Sequence, residues 1–188
     1  QHIVYFMNKA IEKMKMPDLE SGFNVDKEKN IKIVSFSDES EEINFIINKI
    51  IESKIPREEI FILARTNKQL IDFSKVLKEK GIAHVMKTEA SPDAEPQKDQ
   101  ITLSTIHSIK GLEAEMVFVI GVNNLNFPCK AGDNPVFDII DMQDYDKEDE
   151  ERRLFYVAVS RAKNYLYLTY SGKNHSYFIS EDMKNFSD

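Results

Sequence analysis

Two stretches of the chain gather side chains able to do chemistry. The first is Thr102 to Glu113, TLSTIHSIKGLE. An apolar run of strand length ends there in small hydroxyl residues, and His107, Ser108 and Lys110 follow in a turn that Gly111 terminates. Ligands of open parallel sheets bind at such strand ends. Hydroxyls, free backbone amides and a lysine at that point suit phosphate oxygens, including those of a nucleic-acid backbone. The same residues equally suit a capped turn leading to a solvated lysine, because Ser and Thr often do no more than cap. The second stretch is EDEERRLFYVAVSRAK, residues 148 to 163. Its acids gather where a helix would start and Arg161 and Lys163 lie near its end, an order that complements the helix dipole. The run between is strongly apolar, so Arg161 leaves the buried body at one defined edge, from which a planar guanidinium can reach across an interface to a phosphate. An arginine given to a nucleotide held by another domain is one way of stabilising the charge of phosphoryl transfer.

Other chemistries find no support. No GxxxxGK[ST] loop and no GxGxxG occurs, so the chain does not by itself cradle a triphosphate. There is no HExxH and no cysteine pair, and His2, His84, His107 and His175 are scattered, which argues against a metal site. Ser104 or Ser108 with His107 makes a poor nucleophile and base, being too close along the backbone and outside any nucleophile-elbow pattern. The single cysteine, Cys129, forms no internal disulfide, in keeping with a reducing compartment. No apolar run approaches the roughly 20 residues that span a bilayer, and residues 1 to 4 resemble no signal peptide. The expectation is a soluble, cytoplasmic protein without a membrane partner, and Gln1 in place of methionine hints at a trimmed chain.

These residues need a frame. At 188 residues, 41% hydrophobic and 30% charged, the chain is expected to form one globular domain. Ile31 to Phe36, Ile60 to Ala64, Ile82 to Met86, Ile101 to Ser104, Met116 to Ile120 and Tyr165 to Tyr170 read as strands. Between them, Ile43 to Ile51 and Leu70 to Leu77 carry helical spacing, the second stopped by Gly81, and residues 148 to about 163 form a further helix. Ile3, Phe6, Met7, Ala10, Ile11 and Met14 give an amphipathic helix at the start, and the tail closes with a short one. Alternation of this kind predicts a mostly parallel α/β sheet with helices on both faces. Residues 87 to 100, with Pro92 and Pro96, read as a linker, and Asn123 to Pro135 as a second polar loop.

The 25 basic and 32 acidic residues leave a net charge of -7, which at face value argues against nucleic acid. Position decides otherwise. Residues 138 to 151 hold eight acids and one base, so the remainder is balanced at 24 against 24. The acidic stretch is expected to face solvent, away from any nucleic-acid track.

Taken in order, the two chemical stretches resemble motifs V and VI of the UvrD/Rep/PcrA family of superfamily 1 DNA helicases. Thr105, His107, Lys110, Gly111, Leu112 and Glu113, then an apolar strand, Phe127 and Pro128, and finally Glu150 to Ala162 follow the family's T-x-H-x-x-K-G-L-E and E-E-R-R-L-x-Y-V-A/G-x-T/S-R-A patterns. Leu63 to Asn67 resembles its Y-R-[ST]-N stretch, with alanine in the tyrosine position, and Ser176 to Ile179 its S-R-F-L close, with tyrosine for arginine. The resemblance covers about Ile3 to Ile179. It implies the second RecA-like domain of a two-domain motor, a P-loop NTPase fold lacking the P-loop, with ATP in the cleft between domains and single-stranded DNA across the top. It assigns Arg161 to the gamma-phosphate, Glu113 to the ribose side of the nucleotide, and Thr66, Asn67, Thr105, His107 and Lys110 to the DNA backbone or its supporting turn. ATP and Mg2+ would be held mainly by the first RecA-like domain, none being expected on this chain alone, which should be inactive in isolation. Residues 87 to 100 stand where many members carry a large inserted domain, and the family's N-Y-R-S segment would lie just before Gln1. Translocation would run 3' to 5'. A non-catalytic nucleic-acid-binding or protein-interaction module of the same fold is the alternative, and an RNA-directed relative the third reading, disfavoured by His107, Lys110 and Gly111.

Overall fold

The computed structural model describes residues 7–8, 30–91, 94–95, 97–129 and 144–186. Among the described residues there are six strands: β1 (Ile31–Phe36), β2 (Ile60–Ala64), β3 (His84–Lys87), β4 (Ile101–Thr105), β5 (Ala114–Val119) and β6 (Ala162–Ser171). They form one sheet in the order β1-β6-β5-β2-β4-β3, and every pairing is parallel. The central strands β2 and β4 are buried at every residue, which is why they read as unbroken apolar or small-residue runs. Parallel strands need crossovers. Helices α1 (Glu39–Glu52), α2 (Asn67–Glu79) and α3 (Asp144–Val159) supply three of them, and α4 (Glu181–Phe186) closes the described chain.

The helices divide between two faces. Ile46, Ile47 and Ile50 of α1 and Leu70, Phe73 and Leu77 of α2 pack with Ile60, Ile62, Leu103 and Phe118 of the sheet. On the other face Leu154, Phe155, Ala158 and Val159 of α3 meet Phe61, Leu63, Val117, Leu166, Phe127 and Phe178. The expected α/β architecture with helices on both faces is therefore what the chain adopts, and the sheet is wholly parallel. Met7 and Asn8 are helical and Met7 is buried in the second core; the rest of the expected first helix lies outside the described residues.

Two expectations need correction. The helix of residues 148 to 163 starts earlier, at Asp144, and stops at Val159. Ser160 N–H still donates to the Tyr156 carbonyl, but Arg161 N–H donates to Ala158 and its carbonyl accepts from Ala114 N–H, so Ala162 and Lys163 are already strand. Sheet pairing overrides helical spacing there. The acidic stretch is not uniformly solvated either. Glu151 is buried, and Glu148 is bound to the buried Arg152 at 2.8 Å. Residues 138 to 143 lie outside the described residues.

Glu42, in α1, is a buried carboxyl. Its Oε1 accepts from Gly121 N–H at 2.9 Å and from the Thr169 hydroxyl at 2.6 Å, tying α1 to the ends of β5 and β6. Burial pushes its pKa up, only partly offset by the hydrogen bonds from Thr169 and Gly121. A carboxyl raised in the folded state contributes stability that is present at acid pH and lost as pH rises through its folded pKa. Glu42→Gln keeps an accepting oxygen, so thermal melts should show the variant gaining on the parent from acid pH to neutrality. A constant difference across that range would remove the ionisation argument.

Candidate functional site

In a parallel sheet all strands end at the same edge, and Thr66, Asn67, Thr105 and His107, four of the residues that the resemblance assigns to DNA, follow or close strands there, while Lys110 lies further along the connection to β5. Arg65, Thr66 and Asn67 follow β2, and Thr105 closes β4 beside it, paired with Ala64. Thr66 caps α2: Gln69 Oε1 accepts both its N–H at 3.2 Å and its hydroxyl at 3.0 Å. Asn67, the first residue of α2, is exposed. Thr105 is buried, and its hydroxyl donates to Ser108 Oγ at 2.9 Å while accepting from Ser108 N–H at 3.3 Å. His107 is half-buried and Lys110 exposed. Both threonine hydroxyls thus shape their turns, while Asn67 and Lys110 are exposed.

A cleft of about 270 Å³ opens at this same edge, lined by Glu42, Thr66, Gln69, Gly121, Asn123 and Asn126 among others. Gly121 has φ +62°, and a Cβ there would lie 2.2 Å from Gln69 Nε2. Gly121→Ala would combine left-handed strain with displacement of the Gln69 that holds Thr66. A loss of roughly 2 to 3 kcal/mol is expected in chemical denaturation; a loss of only about 1 kcal/mol, the left-handed strain alone, would mean that the capping contact is expendable.

Arg161 and Glu113 sit at the opposite edge, where β5 and β6 begin. The Arg161 guanidinium is half-buried and folded onto the end of α3: Nε donates to the Val157 carbonyl at 3.0 Å, Nη2 to Ser160 Oγ at 2.8 Å, and Nη1 to the Leu112 carbonyl at 3.1 Å. A guanidinium has five N–H groups in a fixed plane. One N–H on each terminal nitrogen is left over by these bonds. Glu113, next in sequence to Leu112, is exposed. The arginine is held by its neighbours, with spare donors for a phosphate oxygen and a carboxylate close by along the chain.

Residues 106 to 113 connect the two edges. They leave β4 at one side of the sheet and enter the parallel β5 at the other, anchored by the buried Ile106 and Ile109 and turned by Gly111 at φ +85°. A five-residue strand is roughly 16 Å long, and eight residues cover that distance without being fully extended. Thr105 and His107 are thereby joined to Glu113 and the Arg161 contact through one short crossing pinned by two buried isoleucines.

Two participants were not singled out as site residues from the sequence. Arg65 and Glu151 form a buried ion pair across the C-terminal edge, with Arg65 Nε 3.0 Å from both carboxylate oxygens and Nη2 2.6 Å from Oε1. Their separation of 86 residues leaves no local signal. The traces were the place of Arg65 in the stretch before Asn67 and of Glu151 in the stretch from Glu150 to Ala162.

The sequence pattern of a family described as UvrD-like helicase C-terminal domain matches residues 1–91 and 87–173. The chain belongs to this family. Among curated proteins, a probable DNA helicase II homolog of Mycoplasma pneumoniae is 53% identical over 68 residues, 36% of this chain and 8% of that protein. The ATP-dependent DNA helicase Rep of Buchnera aphidicola is 40% identical over 88 residues, covering 46% and 12%. DNA helicase II of Escherichia coli is 32% identical over 96 residues, covering 51% and 12%. The matches span about a tenth of these relatives. A crystal structure of the C-terminal domain of a possible DNA helicase from Lactobacillus plantarum WCFS1 shares the fold, with a TM-score of 0.63 over 97% of this chain and 93% of that one at 17% identity. Among the described residues of this UvrD-like domain no helix is long and apolar enough to cross a membrane.

Proposed function

We propose that this UvrD-like domain is the second RecA-like half of an ATP-dependent DNA helicase, contributing Arg161 and Glu113 to a nucleotide shared with the first RecA-like domain and its other sheet edge to single-stranded DNA. The observation carrying this reading is the division of the candidate residues between two edges joined by the 106 to 113 crossing. Arg161, already fixed by Val157, Ser160 and Leu112, offers spare N–H groups to the phosphate oxygens on which charge develops. Glu113 accepts from ribose hydroxyls. Asn67, His107 and Lys110 donate to DNA phosphates, contacts that position the strand without reading its sequence. Mg2+ belongs, in this proposal, with the nucleotide on the first RecA-like domain.

Residues 87 to 100 form a connection in place of the inserted domain of other members. The two matched segments of the family pattern meet at residues 87 to 91, which supports that position. The compartment is cytoplasmic in this reading.

The experiment is DNA-stimulated ATPase of the full-length protein carrying both Thr105→Ala and His107→Ala. Stimulation should be lost while DNA-free turnover persists. Stimulation equal to that of the parent would end the DNA assignment of this edge.

A further inference from the structure

The Arg65–Glu151 pair spans the two parts of the machine. Arg65 lies directly before Thr66 and Asn67, at the edge assigned to DNA. Glu151 belongs to α3, whose far end holds Arg161 through the Val157 carbonyl and Ser160. The two side chains are only 7% and 10% exposed, and Glu151 Oε2 also accepts Cys129 N–H at 3.0 Å. From Glu151 to the helix end at Val159 is eight residues, roughly 12 Å along the axis.

A buried ion pair is weak evidence for stability. Desolvation of the two charges offsets most of their attraction, and apolar pairs of similar volume often replace them with no loss. What a planar fork on a carboxylate does supply is a defined position and direction. Here it fixes the middle of α3 against the end of β2, so that a shift of the Arg65 to Asn67 turn is passed to α3. The roughly two helical turns from Glu151 to Val159 are stiff, and Arg161, just past the helix, is bonded to their end through the Val157 carbonyl.

We propose that Arg65 and Glu151 are positioning residues which couple DNA contact at the β2 end to the placement of Arg161. The inference rests on the functional reading above and adds a second link, independent of the 106 to 113 crossing.

The test uses the full-length protein and the double variant Arg65→Met with Glu151→Leu, which removes both charges and leaves neither unpaired. Glu151→Gln accompanies it, keeping the shape of the side chain. Three quantities are read: DNA-free ATP turnover, maximal DNA-stimulated turnover, and the DNA concentration giving half stimulation. Thermal melting controls for folding. The double variant should melt near the parent, keep DNA-free turnover and half-stimulating DNA concentration within about twofold, and lose roughly tenfold in DNA-stimulated kcat, the scale on which one coupling network acts; Glu151→Gln, which leaves the Arg65 charge buried and unpaired, should melt lower and, below its melting temperature, show the same selective loss. A folded double variant with full DNA-stimulated kcat would overturn the proposal. Equal losses with and without DNA would also overturn it, because they would report a general defect in Arg161 and no coupling. A parent protein without DNA stimulation would instead overturn the functional reading, and the inference with it.

Discussion

Arg161→Ala in the full-length protein is expected to lower ATP turnover by roughly 10³- to 10⁵-fold while nucleotide binding changes by no more than a few-fold. Binding energy for a triphosphate comes mostly from a phosphate loop and its metal, and no GxxxxGK[ST] loop occurs in this sequence. A guanidinium offered from the second domain acts on the charge that develops as the phosphoryl group transfers, so its loss appears in kcat. The half-buried placement of Arg161 strengthens this expectation: three bonds to Val157, Ser160 and Leu112 hold the fork before nucleotide arrives, so little ordering remains to be done. Arg161→Lys should recover little activity, since a point charge cannot reproduce the fork or its anchoring bonds. Steady-state ATPase beside titration with a fluorescent nucleotide separates the two quantities; a proportional loss of binding would make Arg161 a binding residue.

Phe155→Ala should be among the most damaging changes to the fold itself, at about 3 to 5 kcal/mol. Phe155 is fully buried on α3, with its ring 5.8 Å from Phe127 and 5.9 Å from Phe178. It therefore holds together α3, the loop after β5 and the segment after β6. Removing it opens a cavity at the meeting of three elements, none of which can collapse alone. Native domains are stable by only about 5 to 15 kcal/mol, so the variant should unfold at markedly lower urea. Phe155→Leu, which refills most of the volume, should recover much of the loss. An unchanged midpoint for the alanine variant would contradict the packing described.

Much of the frame was legible because parallel strands are buried on both faces. Ile31–Phe36 and Ile60–Ala64 stand at the bounds that their apolar runs predict, and Gly81, at φ +68°, ends the segment after α2 where helical spacing stops. The end of α3 was not legible. Val157 to Lys163 reads as continuing helix, and only the pairing of Arg161 with Ala114, 47 positions away, shows where it breaks. The same limit applied to charge. Glu151 looks like one more solvated acid in its run, and a partner 86 residues upstream makes it buried. Site residues were legible as types and spacings. Which hydroxyls are spent inside their own turns, as at Thr66 and Thr105, depends on local geometry that Ser and Thr share between capping and ligand binding.

A UvrD-like domain that holds half of a DNA-driven ATPase, as proposed, depends on its other half for turnover. The direct measurement sets ATP turnover of the full-length protein beside that of residues 1 to 188 alone, each with and without single-stranded DNA. DNA-stimulated turnover is expected for the full-length protein and none for the isolated domain. Turnover by the isolated domain, or a full-length protein indifferent to DNA, would contradict that reading.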